Sequence, residues 1–292
     1  MRRDWDRDCL AFYRKAIELD PNFALPYLGI ADLYAFAYET KMAEDALAKA
    51  IELDPTLHEA YATRGFRQTF HRWDWEGAER SLRQAIELAP NSSKAHHWYG
   101  VYLSIRRRLD EAQREMEKAL ELDPTALVIM TDLAELHYFK THYELAESQL
   151  QNVLAIDPNF FNARMHLVKV RYKRGASYFK EDAAFGVFQQ RLRDSGTPGQ
   201  EYDTSKVEEL TKMDERVLEK AAEESWLKEL KTNPDANLAL ARHYSLTGKK
   251  EKCLRALEKA FTAKVFTMPF IAVDRFGTRF GPSPTSRMFC AE

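Results

Sequence analysis

Along the first half of this chain, apolar residues return every three or four positions. The blocks they form return in turn about every 34 residues. Each block holds two stretches with a small residue at a fixed place. Ala31, Gly65, Gly100 and Ala134 stand in the first stretch, and Ala43, Ala78, Ala112 and Ala146 in the second. Large apolar residues lie three or four places from each. That spacing predicts two amphipathic helices per block, pressed together where the side chains are smallest. The blocks close on AIELDP, AIELDP, AIELAP, ALELDP and VLAIDP, at Pro21, Pro55, Pro90, Pro124 and Pro158, with steps of 34, 35, 34 and 34 residues. Proline cannot continue a helical hydrogen-bond ladder, so it ends the second helix. A period of this length predicts stacked supersecondary units.

The pattern W-x2-L-G-x2-Y, then A-x3-F, then P describes one such helix–turn–helix unit. Residues 24–57 supply Tyr27, Ile30, Ala31 and Tyr34, then Ala43, Leu47 and Pro55. Residues 93–126 supply His96, Tyr99, Gly100 and Leu103, then Ala112, Met116 and Pro124. Residues 127–160 supply Met130, Leu133, Ala134 and His137, then Ala146, Leu150 and Pro158. On these residues the chain resembles the tetratricopeptide repeat family. The resemblance implies an all-α fold, a right-handed superhelical solenoid of helix hairpins. Residues 58–92 depart from the pattern. Their extra residue is expected in the turn near Trp73-Asp74-Trp75, and Arg64 and Gln68 stand where apolar residues are usual. Phe66 and Phe70 are expected to supply the missing packing.

The period divides the chain. Residues 1–21 read as a half-repeat, a second helix over Trp5–Leu19 with Cys9, Tyr13 and Ala16 at packing positions. Its uncovered apolar face is expected either to mark an upstream part removed or to pair with a second copy. Residues 22–160 hold four regular repeats. Residues 161–233 read as degenerate repeats, with a first helix over Asn162–Lys173, a second over Phe179–Arg193 and a loop insertion near 195–202. A single long helix over Thr204–Lys231 competes with a two-helix reading. Residues 234–263 restore the pattern with Leu240, Ala241, Tyr244, Gly248, Cys253, Leu257 and Ala260. Residues 264–292 are expected to form an irregular cap.

Charge narrows the function. Lys and Arg total 43 against 45 Asp and Glu, so no net field draws the chain to nucleic acid or anionic lipid. No apolar run reaches the length of a membrane span. The chain is expected in the cytoplasm, with the bacterial periplasm as the alternative. Cys9, Cys253 and Cys290 are far apart and make no metal spacing. Cys9 and Cys253 fall on packing positions and are expected to be buried thiols. No phosphate-loop, dinucleotide, zinc-protease or nucleophile-elbow motif is present. Adjacent His96 and His97 point about 100° apart on a helix and cannot share one ion. The expectation is therefore a non-enzyme without cofactor or metal.

Stacked hairpins leave a concave side lined by first helices. The inward positions implied by the family frame are Leu28, Asp32, Ala35 and Phe36; Ala62, Phe66, Thr69 and Phe70; His97, Val101, Ser104 and Ile105; Thr131, Glu135, Tyr138 and Phe139; and Met165, Lys169, Tyr172 and Lys173. This lining is aromatic in the middle and basic at Lys169 and Lys173, which suits a peptide or partner helix with an acidic group. The run WDWEGAERSLRQAIELAPNSSKAHHWYGVYL, together with FIAVDRFGTRF near the end, resembles the repeat region of bacterial signalling proteins. Many of these carry a winged-helix domain of the CadC or ToxR type. The resemblance implies a protein-interaction scaffold within a larger regulator. Homo-oligomerisation through Trp5–Leu19 is the alternative.

Overall fold

A computed structural model describes residues 2–34, 40–175, 236–247 and 249–262, with a few positions between 218 and 227. All regular structure among the described residues is helical: α1 (Arg2–Leu19), α2 (Ala24–Leu33), α3 (Thr40–Leu53), α4 (His58–Arg67), α5 (Trp75–Leu88), α6 (Ser93–Ile105), α7 (Leu109–Leu122), α8 (Leu127–Phe139), α9 (Tyr143–Ile156), α10 (Phe161–Lys173), α11 (Ala236–Leu246) and α12 (Lys250–Thr262). The chain forms two units, residues 1–103 with 110–124, and residues 104–109 with 125–292. In the first, α1 packs on α2, α2 pairs with α3, α4 with α5, and residues 93–103 of α6 with α7. In the second, α8 pairs with α9, α9 packs on α10, and α11 pairs with α12. The expected second helix over 179–193, the segment 204–231 and the 264–292 cap lie largely or wholly outside the described residues.

Each hairpin closes where the sequence is smallest. Ala31, Ala43, Ala78, Ala112, Ala134 and Ala146 have no exposed surface at all. A Cβ added at Gly65 would lie 2.4 Å from Leu82 Cγ, and one at Gly100 would lie 2.7 Å from Met116 Cγ and 3.2 Å from the Ala112 carbonyl oxygen. Only hydrogen fits there, so the backbones of α4 and α5, and of α6 and α7, come nearly into contact. Each second helix then buries a column: Ala43, Leu47 and Ala50; Ala78, Leu82 and Ala85; Ala112, Met116 and Ala119; Ala146, Leu150 and Val153. Full burial of one Leu or Met side chain contributes about 1.5–3 kcal/mol. In the C-terminal hairpin, Leu240, Ala241, Tyr244, Cys253, Leu257 and Ala260 are buried likewise.

The joints between hairpins follow from the Asp-Pro phrase. Asp20, Asp54 and Asp157 each accept the backbone N–H two residues on, at 3.0, 2.9 and 2.8 Å, which starts the turn. The proline carbonyl is then claimed six residues later. Tyr27 donates its hydroxyl to Pro21 and Tyr61 to Pro55, both at 3.1 Å. His96 Nε2 lies 2.9 Å from the Pro90 oxygen, and Arg164 Nε donates to that of Pro158 at 2.7 Å. Met130 holds this place after Pro124 and has no donor to offer. The other nitrogen of His96 lies 2.7 Å from Glu115 Oε2. Both its partners are acceptors, so the ring donates twice. The hydrogen bond to Glu115 accordingly raises its pKa above the ordinary value.

The 35-residue step is absorbed inside a helix, not in the turn near Trp73 where it was expected. α4 runs on into a π-helical turn, Gln68–Arg72, which takes one residue more than an α-turn. Left-handed backbone then recurs at Trp73 (φ 56°), Arg107 (60°), Thr141 (66°) and Gly175 (101°), each 34 residues after the last, so the frame is restored. Arg64 and Gln68 hold the bulge. Arg64 Nε donates to Ser81 Oγ (3.0 Å), Ser81 to Gln68 Oε1 (2.7 Å), and Gln68 Nε2 to Asp74 Oδ2 (3.1 Å), while Asp74 caps α5 by accepting from Gly77 N–H (2.9 Å).

One substitution tests a helix end. At the end of α8 the N–H of His142 reaches the carbonyl of His137 (2.9 Å) and that of Thr141 reaches Tyr138 (3.0 Å), a double-bonded helix end whose left-handed residue is usually glycine. A β-branched residue is strained there, so Thr141→Gly is expected to raise stability by about 0.5–1 kcal/mol, read by urea unfolding.

Candidate functional site

In the first unit the first helices α2, α4 and α6 are tied by a polar ladder. Thr63 Oγ1 donates to Asp32 Oδ1 at 2.6 Å, and Lys94 Nζ donates to Asp32 Oδ2 at 2.9 Å and to Thr63 Oγ1 at 3.1 Å. The steps are 31 residues, one repeat less about one helical turn, so the ladder runs diagonally across the helices. Asp32 and Lys94 keep 42% and 37% of their side chains exposed, which leaves them within reach of a ligand. Leu25, 49% exposed, lies seven residues before Asp32 and therefore on the same face of α2. Neither Leu25 nor Lys94 was among the inward positions read from the sequence. Their shared place in the frame, at the start of a first helix, was the available signal.

Most of the expected lining of this unit is buried. Leu28, Ala62, Phe66, Thr69, Phe70, His97 and Val101 are each less than a tenth exposed. Phe66 packs against Phe70 and Trp98 with ring centroids 4.8 and 4.4 Å away, and His97 stacks beside Trp98 at 4.7 Å. Rings expected on an open wall instead fill the space between neighbouring first helices. Ala35 and Phe36 lie outside the described residues. Behind the wall, the buried guanidinium of Arg67 donates to the Tyr34 carbonyl at the end of α2 (3.2 Å), and Arg72 pairs with Glu44 (Nε to Oε1, 2.6 Å). That hydrogen bond holds the Glu44 carboxyl below its ordinary pKa.

In the second unit Glu135, at the frame position of Asp32, sits in a buried ion cluster. Glu135 Oε1 receives Lys169 Nζ at 3.0 Å and His166 Nδ1 at 3.0 Å, and all three side chains are close to nine-tenths buried. Burial alone would raise the Glu135 pKa. The charges and hydrogen bonds of His166 and Lys169 outweigh it and hold the group well below the carboxylate range. Lys169, expected to meet an acidic ligand, is thus already paired within the chain. Lys173 lies over the Tyr172 ring, 5.8 Å from its centre. Ser104, Ile105, Thr131, Tyr138 and Phe139 are buried, the last two in one core with Leu150, Leu167 and Val170. Met165, Tyr172 and Lys173 are half-buried.

The remaining titratable and sulfur side chains are scattered over the described residues. Among them no three His, Cys, Asp or Glu side chains gather as a metal would need, and no helix is long and apolar enough to cross a membrane. Cys253 is buried, and burial raises its thiol pKa. Cys9, expected to be buried, is only half so. Glu223 meets Lys249 (3.1 Å) and Lys252 (3.4 Å). Burial works to raise its pKa, but the two lysines hold it down to about 2.

The Glu135 cluster generates a pH prediction. A depressed carboxyl stabilises the fold above its unfolded pKa of about 4.3, and that contribution drains away as pH falls through the folded value. Glu135→Gln is expected to cost about 3 kcal/mol at neutral pH, because the buried ammonium of Lys169 loses its partner. It should also flatten the acid side of the stability curve. Thermal melts of both proteins at successive pH values below neutrality check this.

Family models of the tetratricopeptide repeat match residues 81–114 and 105–172. Among curated proteins the chain is 26% identical over 159 residues to anaphase-promoting complex subunit 3 of Schizosaccharomyces pombe, covering 53% of this chain and 23% of that protein. It is 29% identical over 189 residues to the E3 ubiquitin-protein ligase CHIP of Arabidopsis thaliana, covering 62% and 60%. It is 27% identical over 128 residues to the transcriptional regulator HilA of Salmonella typhimurium, covering 41% and 23%. The chain therefore spans less than two thirds of each of these relatives. In fold it is similar to a solved chain of the APC/C hetero-tetramer Cut9–Hcn1, with TM-score 0.56 at 17% identity over 66% of this chain and 40% of that one. The 34-residue frame, the alanine and glycine contacts within each hairpin and the matched family models together identify residues 81–172 as tetratricopeptide repeats.

Proposed function

We propose that this chain is a non-catalytic scaffold that holds a protein or peptide partner on the face of its first helices, as the interaction module of a larger regulatory protein. Repeats of this family mediate protein–protein contacts, and the relatives named above include a transcriptional regulator. The observation that carries the reading is the surface of α2 and α6 in the first unit. Half-exposed Leu25 stands two turns from Asp32, whose ion pair with Lys94 faces solvent. An exposed pair of this kind is worth little to folding, so its charges can be exchanged for those of a ligand at small cost. The partner expected there has an apolar side chain flanked by charge, in an extended or helical segment. In the second unit Glu135, the counterpart of Asp32, is instead closed off with His166 and Lys169.

Self-association through α1 is a second reading, favoured by a different observation, the exposure of Phe12. The first reading is tested by capturing partners with the whole chain and titrating the purified partner by calorimetry. Leu25→Glu and Lys94→Glu are each expected to weaken binding about tenfold, or 1.4 kcal/mol. Wild-type affinity in both variants would remove the first-helix face from consideration.

A further inference from the structure

The residue six places after each hairpin-closing proline is Tyr27, Tyr61, His96, Met130 and Arg164 in turn. All but Met130 reach back to the proline carbonyl. A phenol or a guanidinium is a donor on either side of neutrality. An imidazole donates from both nitrogens only while it carries a charge, and it gains or loses that charge near neutral pH. His96 also reaches in two directions. Its Nε2 lies 2.9 Å from the Pro90 oxygen and its Nδ1 2.7 Å from Glu115 Oε2, so the ring spans from the turn before its hairpin to the second helix within it. The His96 side chain is 10% exposed, against 27% for Glu115. Ser93, the first residue of α6, adds a second tie to α7 by donating to the Ala119 carbonyl at 2.9 Å.

We propose that His96 is a proton-operated latch on the joint between the hairpins α4–α5 and α6–α7: doubly protonated, it ties the turn at Pro90 to α7, and on losing one proton it lets the turn go. A neutral ring has one donor and one acceptor nitrogen. Both partners of His96 are acceptors, so whichever nitrogen loses its proton turns a lone pair on an oxygen less than 3 Å away. That contact must open. A carboxylate is a stronger acceptor than a carbonyl, so the remaining proton stays on Nδ1 toward Glu115. The Pro90 carbonyl is the group released, and Pro90 is exposed, so water takes the place of the ring. The turn keeps its backbone bonds, Ser92 N–H to Ala89 (3.0 Å) and Ala95 N–H to Ser92 (3.1 Å), so the opening is confined to the tie. The charged groups around the ring are few. From α7, Glu115 holds the proton on and Lys118 works against it more weakly. Residues 89–92 carry no titratable side chain, and Glu87 at the end of α5 is exposed. On α4, His58 and Glu59 pair with each other at 3.0 Å. On α6 itself, Lys94 is turned to Asp32 and Thr63.

Imidazole nitrogen signals of the whole chain, followed by NMR from about pH 6 to pH 9, test this. Among the 8 histidines, the signal missing from His96→Tyr identifies His96. Both of its nitrogens are expected to be protonated at neutrality, and Nε2 is expected to lose its proton on the alkaline side. Glu115→Gln should move that titration down toward the ordinary histidine value. Stability gives a second readout. A raised histidine pKa contributes stability that is complete below the unfolded value of about 6.5 and is lost as pH rises through the folded one. His96→Tyr places at this joint the donor found at Tyr27 and Tyr61, and a phenol keeps its proton up to about pH 10. The other histidines are common to both proteins. The wild type should therefore lose stability relative to His96→Tyr across the alkaline range, read as a falling difference between their urea midpoints. A His96 ring singly protonated at neutrality, a surviving proton on Nε2, a titration unmoved by Glu115→Gln, or a constant difference in midpoint would each overturn the proposal. The inference does not rest on the partner-binding reading.

Discussion

Two helical backbones can touch only where side chains nearly vanish, and everything regular in this chain follows from meeting that condition once per repeat. At Gly65 and Gly100 an added methyl group would clash with a side chain of the facing helix, and at the matching places elsewhere alanine is sealed from solvent. The close approach lets one large residue, Leu47, Leu82, Met116 or Leu150, fill the remaining space of its hairpin. A wider separation would leave a cavity beside each, at roughly 24 cal/mol per Å³. Because each contact is local, stability accumulates from one neighbour to the next and not around a single centre.

What was legible in the letters is what depends on nearest neighbours along the helix. The helix pairs, their small contact residues and the Asp-Pro joints all announce themselves by period. The joint has a local cause, an aspartate that accepts its own downstream N–H and a proline that cannot extend the helix. The placement of the extra residue was not legible. Counting shows that 58–92 is one longer. Whether a turn or a helix takes up the excess is decided by the Arg64–Ser81–Gln68–Asp74 chain, whose members meet only after α4 and α5 pack. The candidate site was half legible for the same reason. The frame indicates which residues turn inward, but burial depends on ring size and on the stagger of adjacent helices. Phe66 and Tyr138 are long enough to bridge to the next helix and are lost to the surface. Leu25 and Lys94, near the helix starts, stay accessible.

The polar ladders mark a second constraint. Apolar first helices side by side have no strong preference for one stagger, since dispersion contacts are individually small and non-directional. A carboxylate that must meet a particular cation does have one. Asp32 with Thr63 and Lys94, and Glu135 with His166 and Lys169, each tie first helices of successive repeats at a fixed offset. Their depth separates their uses. The Glu135 cluster is taken from water, so losing one member strands the others. The Asp32 pair stays in water, costs little to open, and can trade partners.

The two surfaces left over differ in kind for a related reason. A first helix faces its equals from neighbouring repeats, and its outward residues are polar enough to stay wet: Asp32, Lys94 and a single Leu25. The stripe on α1 belongs to a second helix, whose counterparts in α3, α5, α7 and α9 are covered by a helix of their own hairpin. The α1 stripe, Cys9, Phe12, Ala16 and Leu19, carries no charged side chain. The first surface suits exchange of charged ligands with modest affinity. The second suits burial against another helix and gains nothing from a polar ligand. Because they lie on different helices and share no side chain, a change in one should leave the other's binding energy nearly untouched.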